Sequence, residues 1–124
     1  MTLIWSGYLV AIALLAGSFI NLAADRLPRG ESVVEPRSHC RSCGRRLNFL
    51  DLIPVGGYLL RRGRCATCGA PIGVAAPAVE ALSGVAMAVP VAMLGPVNGS
   101  MAGLALVAML GVAAVSAAYT RRRA

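Results

Sequence analysis

From Leu3 to Ala24 the chain runs without a charged side chain, and as a helix this stretch is long enough to cross a hydrocarbon layer of about 30 Å. That single run limits the folds available, because a water-soluble helix needs a polar face and this one offers almost none. A second apolar run covers about residues 74–94 and carries one acid, Glu80, and a third covers about 100–119 with no charge. Gly95-Pro96-Val97-Asn98-Gly99 lies between them and reads as a tight turn. Charged residues make up 14% of the 124-residue chain and hydrophobic residues 57%, whereas a soluble domain carries about 25% charged residues. A soluble helical bundle is thereby disfavoured.

All twelve basic residues are arginines, nine of them between Arg26 and Arg64 and three in the run Arg121-Arg122-Arg123. The net charge of +7 could signal nucleic-acid binding, but the arginines avoid the apolar runs and gather between and after them, as membrane topology demands. No nucleic-acid partner is expected. Arginine at mid-membrane is unfavourable by about 2.5–3.5 kcal/mol on insertion scales. Three spans place the loop and the C-terminal tail on one side, which the positive-inside rule makes cytoplasmic, and the N-terminus outside. The first run lacks a basic n-region and is too long for a cleaved signal peptide, so a retained anchor is expected.

The loop holds Cys40-Arg41-Ser42-Cys43-Gly44 and Cys65-Ala66-Thr67-Cys68-Gly69, two CxxCG units with twenty-one residues between Cys43 and Cys65. Two intervening residues let both sulfurs of a unit reach one ion from a tight turn, and the glycine permits the positive φ such a turn needs. Four thiolates suit tetrahedral Zn²⁺ at about 2.3 Å. Disulfides are disfavoured in a reducing cytoplasm, a redox CxxC occurs singly, and iron–sulfur proteins use other spacings. The metal ligands are therefore expected to be Cys40, Cys43, Cys65 and Cys68, with His39 outside the shell and no catalysis at a closed site. The fold class that follows is an all-α integral membrane protein with three transmembrane helices and a small cytoplasmic zinc-ribbon-like loop between the first two. Its expected divisions are 1–24 (helix 1), 25–73 (zinc loop), 74–94 (helix 2), 100–119 (helix 3) and 120–124 (basic tail).

A loop of this size cannot build a sufficient core, so the metal should supply folding energy. Between the cysteine pairs lie Leu47, Phe49, Leu50, Leu52, Ile53, Val55, Tyr58, Leu59 and Leu60, too apolar for a free loop. They are expected either to pack on the zinc lobe or to lie on the membrane surface, where Arg61, Arg62 and Arg64 would meet anionic headgroups. Ser18, Asn21 and Asp25 share a face at the end of the first run. Glu80 lies just inside the second, where a buried acid must pair, hydrogen-bond or protonate. Asn21 and an arginine of the loop are its expected partners. Asn21 and Glu80 thus form a polar interface site, or simply join helices. Gly103 and Gly111 mark close helix packing.

Gly17-Ser18-Phe19-Ile20-Asn21, then Arg26-Leu27-Pro28-Arg29-Gly30-Glu31-Ser32, Pro36-Arg37-Ser38-His39-Cys40-Arg41-Ser42-Cys43-Gly44, Asp51-Leu52-Ile53-Pro54, Arg62-Gly63-Arg64-Cys65, Gly69-Ala70-Pro71-Ile72, Pro77 and Glu80 form a long ordered pattern. It resembles the N-terminal domain of bacterial prepilin leader peptidases over roughly residues 17–84. The resemblance implies a polytopic inner-membrane enzyme. That enzyme removes the leader of type IV prepilins and the pseudopilins of type II secretion, then methylates the new terminus with S-adenosylmethionine. The matched region corresponds to the zinc-binding, methylation-associated part.

The family's protease aspartates lie in later spans, one in a Gly-x-Gly-Asp motif, and this sequence contains no such motif. Asp25 and Asp51 match other motif positions, so no catalytic residue is assigned and no peptidase activity is expected of this chain by itself. Ala75 and Ala76 stand where the family often shows a basic residue before the matched proline. Three functions remain in view. The chain could act in pilin maturation with a separate membrane subunit that carries the aspartates. It could be a stand-alone pilin N-methyltransferase with a site near Asn21, Glu31, Glu35 and Glu80. Or it could be a non-catalytic zinc-stabilised membrane adaptor or truncated remnant.

Overall fold

The structure is a computed structural model, and it describes residues 1–123. Helix α1 spans Thr2–Arg26. Its alanines and leucines favour helix, and Pro28, which has no N–H to continue the α-helical bonds, marks its end even though Leu27 keeps helical angles. A 3-10 turn, Leu27–Arg29, closes on Gly30 at φ 68°. The following segment contains a second 3-10 turn, Phe49–Leu52, and a short helix α2, Gly56–Leu60. Helix α3 occupies Ala75–Arg123 but leaves helical geometry at Gly95, with φ 79° and ψ 173°. Among the described residues there are no strands, only the isolated bridges His39–Arg46 and Arg64–Pro71. The zinc-ribbon-like loop is therefore a pair of turns, each closed by one bridge.

The turn expected over Gly95–Gly99 is tighter than its sequence implies. Gly95 alone takes the positive φ, and Pro96 starts the next helical stretch, where a missing N–H costs nothing. A Cβ on Gly99 would collide with the Pro90 carbonyl and Val91 Cα, and one on Gly103 would lie 3.0 Å from Met87 Cα. Residues 75–94 and 96–123 thus fold back against each other as a helical hairpin. Helix α1 completes the bundle. A Cβ on Gly17 would lie 2.7 Å from Ser83 Oγ and 2.8 Å from Glu80 Cα, so only glycine allows the backbones to approach this closely. A Cβ on Gly111 would lie 3.3 Å from the Ile20 side chain of α1.

The buried core is small: Ala13, Met87, Val91 and Val107, flanked by Leu9, Val10, Ala16, Ile20 and Ala86. Large apolar side chains such as Leu3, Ile4, Met93 and Val112 face outward instead. Only 11% of the most apolar stretch of α1, and 11% of that of α3, is buried. Both helices are long and apolar enough to cross a membrane. At the other end of the bundle, the Tyr119 hydroxyl donates to the Leu27 carbonyl at 3.1 Å, and Arg122 donates to the Pro28 carbonyl at 3.4 Å. The last turns of α3 therefore lie beside the start of the cysteine loop.

Candidate metal centre and adjoining cavity

Each CxxCG unit folds the same way. In the first, the Cys40 N–H donates to the Arg45 carbonyl at 2.8 Å and the Gly44 N–H to the Cys40 carbonyl at 2.8 Å. In the second, the Cys65 N–H donates to Ala70 at 2.9 Å and the Gly69 N–H to Cys65 at 3.1 Å. Gly44 and Gly69 take φ of 73° and 69°, the left-handed geometry their positions require.

The two turns bring the four sulfurs together. Cys40 and Cys68 Sγ are 3.8 Å apart, Cys43 and Cys65 Sγ 3.9 Å, and all four lie within 4.8 Å of one another. A tetrahedron with Zn–S bonds of about 2.3 Å has edges of about 3.8 Å. Cys40, Cys43, Cys65 and Cys68 are thus positioned to bind a metal ion, and the all-sulfur donor set is compatible with zinc. Inward-pointing amides prepare the thiolates. The Cys68 and Thr67 N–H groups, with help from Arg45, hold the Cys65 thiol down at about 6, and the Cys43 and Ser42 N–H groups lower Cys40. At Cys43 the Arg45 amide pulls the same way, but desolvation and the neighbouring sulfurs prevail and push it to about 11. His39 stands outside the cluster, its Nδ1 2.9 Å from the Arg37 carbonyl.

Two ionic clusters fix this lobe. Arg41, inside the first CxxC, donates to Asp25 at the end of α1 and to Glu31, and Arg29 joins Asp25 at 3.0 Å. The Arg41 guanidinium holds the Glu31 carboxyl below its ordinary value. The second cluster is more buried. The Asp51 side chain is 5% exposed and accepts from Arg45 at 2.6 Å, from Arg61 at 2.6 Å and from the Asn48 N–H at 3.0 Å. Burial alone would raise its pKa, but the Asn48 N–H, Arg61 and Arg45 outweigh that and lower it. Arg45 follows the first cysteine pair and Arg61 precedes the second, so one carboxylate ties both halves of the lobe together.

This buried role of Asp51 escaped the sequence reading, and Arg61 turns inward to it instead of facing headgroups. A signal was present. Asn48 and Asp51 stand three apart before an apolar run, the spacing of a capping box, and the Asp51 N–H donates back to Asn48 Oδ1 at 3.1 Å. Asp25 and Asp51 are thus held in separate arginine cages.

Between the lobe and the helices lies a cavity of about 550 Å³, bordered by Ser18, Asn21 and Asp25 of α1, Glu80 of α3 and Tyr58 of α2. Asn21 and Glu80 both line it. Glu80 is 9% exposed, and its Oε2 accepts the Val55 N–H at 2.6 Å, not a group from Asn21 or an arginine. Val55 has φ 59°, unusual for a β-branched residue, and its bond to Glu80 holds the start of α2 against α3.

An apolar helical bundle, its helices able to cross a membrane and capped at one end by four cysteines positioned to bind a metal ion, defines the class of this domain. The sequence model of the bacterial peptidase A24 N-terminal domain matches residues 11–94, and the chain belongs to that family. A prepilin leader peptidase/N-methyltransferase of Myxococcus xanthus (strain DK1622) is 43% identical over 77 residues, which is 62% of this chain and 23% of that protein. One from Burkholderia pseudomallei (strain K96243) is 31% identical over 128 residues, covering 83% of this chain and 41% of the relative. One from Klebsiella pneumoniae is 30% identical over 124 residues, covering 95% of this chain and 54% of the relative. The chain thus spans between about a quarter and about half the length of these relatives. No solved structure matches it.

Proposed function

We propose that this chain works in the maturation of type IV prepilins or related pseudopilins, as a zinc-stabilised domain of the bacterial inner membrane. In this reading a separate membrane subunit carries the aspartic peptidase spans. The observation that carries the reading is the family match across residues 11–94 together with the convergence of Cys40, Cys43, Cys65 and Cys68. One feature of the chain supports placing cleavage elsewhere: its loop aspartates are engaged by arginines rather than poised as a pair.

The topology in this reading has three spans, over about 1–24, 74–94 and 100–119. The zinc loop 25–73 and the tail 120–124 lie in the cytoplasm and the N-terminus outside. The helical break at Gly95 supports it, as do the contacts of Tyr119 and Arg122 with Leu27 and Pro28. So does the confinement of all arginines to the loop and tail. Zinc would be held by the four thiolates, two of them, Cys40 and Cys65, favoured by their own turn amides, and would lock the lobe's fold. Asn21 and Glu80 would form a polar site at the membrane interface.

A second reading, methylation of the cleaved pilin with S-adenosylmethionine as donor, is favoured by one feature, the cavity bordered by Asn21, Asp25 and Glu80. The deciding experiment is affinity purification of the chain from native membranes, followed by mass spectrometry and assays on a prepilin. Recovery of a Gly-x-Gly-Asp membrane protein, with cleavage only when both are present, is expected. Cleavage by the purified chain alone would refute the division of labour. Methylation of cleaved pilin by the chain alone would establish the second reading. Neither activity and no such partner would leave a zinc-stabilised adaptor.

A further inference from the structure

The segment joining the cysteine pairs exposes far more apolar surface than a solvated loop tolerates. Phe49 is 80% exposed, Leu59 66% and Leu60 65%, with Leu50 beside them. These residues do not pack on the metal lobe; what does pack inward is the polar Asp51 with its arginines. Exposed apolar side chains on two elements that touch each other, the turn Phe49–Leu52 and α2, mark an interaction site.

Its position identifies the occupant. Glu80 Cα lies against Gly17, nine residues before the end of α1 at Arg26, on the order of 13 Å along the helix. The Val55 amide is bonded to that carboxylate, so the segment is held alongside the final turns of α1 and not beyond them. Phe49 and Leu52 accordingly line a shallow cleft with Leu22 and Arg26 of those turns. If α1 and α3 cross a bilayer, this is the depth of its headgroups. Arg46 borders the same cleft and Arg62 stands two residues after Leu60; both are exposed, and neither makes an ion pair among the described residues.

We propose that Phe49, Leu50, Leu59 and Leu60 form a foot that docks into the headgroup–acyl boundary of an anionic phospholipid bilayer, with Arg46 and Arg62 on its phosphates. The stems of the two arginines lie along the apolar surface while their heads reach the lipid charge. The foot would fix the lobe, and with it the mouth of the cavity, relative to the membrane plane. The inference rests on the membrane reading of α1 and α3 given above.

The test uses the full chain reconstituted at low density in phospholipid vesicles, read by quenching of tryptophan with brominated lipids. Trp5 of the native chain, in α1, reports the spanning reading: if it is not quenched, that reading fails. On a Trp5→Phe background, Phe49→Trp and, separately, Leu59→Trp report the foot; metal content shows which variants keep the lobe folded. With Trp5 quenched in the native chain, the indoles at positions 49 and 59 should be quenched most by lipids brominated high on the acyl chain. The quenching should be at least about twofold stronger with phosphatidylglycerol present than in pure phosphatidylcholine. Leu59→Glu with Leu60→Glu should abolish the position-49 signal without loss of metal. Quenching by aqueous acrylamide alone would overturn the proposal. Shielding from both quenchers would point to a protein cover and also overturn it. Equal quenching in neutral and anionic vesicles would remove the arginine contacts.

Discussion

Replacing Asp51 with asparagine should weaken the metal lobe far more than its distance from the sulfurs implies. The substitution keeps the side chain's shape and one carbonyl oxygen but deletes the charge that faces Arg45 and Arg61. Both arginines are mostly covered, with side chains 22% and 28% exposed, and Arg45 Nε already lacks a hydrogen-bond partner. Charge-assisted hydrogen bonds contribute about 1.5–3 kcal/mol each, and breaking a fully buried pair costs about 3–5 kcal/mol. Allowing for the partial exposure of the arginines, the expected loss is about 2–4 kcal/mol. If the lobe folds with its metal, as its small size implies, that loss should appear in the apparent metal affinity. At about 1.4 kcal/mol per tenfold, it is a weakening of roughly thirty- to several-hundred-fold. The assay is competition for zinc between the detergent-solubilised chain and a chromophoric chelator. Asp25→Asn is the control: its pairs with Arg41 and Arg29 are well exposed, so the loss there should be under about 1 kcal/mol, or less than about fivefold. Equal affinities for Asp51→Asn and the native chain would refute the claim that this carboxylate holds the two halves together.

Other outcomes follow from the same geometry. Cys40→Ser or Cys65→Ser should leave the lobe unfolded and lower the amount of chain in membranes, measured by immunoblot and by metal content. Gly17→Leu should drive a side chain into Ser83 and the Glu80 backbone and separate α1 from α3, at a cost of about 1–3 kcal/mol; the readout is a lower midpoint of thermal unfolding in detergent. Zinc affinity should fall as pH falls, because the ion binds thiolates and protons compete for them. The decline should steepen below about pH 6, where the Cys65 thiolate also takes up a proton. A chelator titration from pH 8 to pH 5 measures it, and a flat profile would contradict thiolate ligation.

The sequence by itself determined the main solvents of this chain. Uncharged runs such as Leu3–Ala24 offer water almost no polar face, and period and composition are local properties that need no knowledge of the fold. It likewise located the four cysteines that the structure positions to bind a metal ion, because a CxxCG turn is encoded within five residues and two of them offer a full tetrahedral set. What only the tertiary structure decided are the pairings between distant segments. Glu80 meets the Val55 amide twenty-five positions away, Asp51 gathers Arg45 and Arg61, and Gly17 is where α1 touches α3. An unpaired acid in a sequence announces that it needs a partner, since burial without one is costly. Which of several arginines or amides reaches it depends on the path of the chain, and no local pattern carries that path.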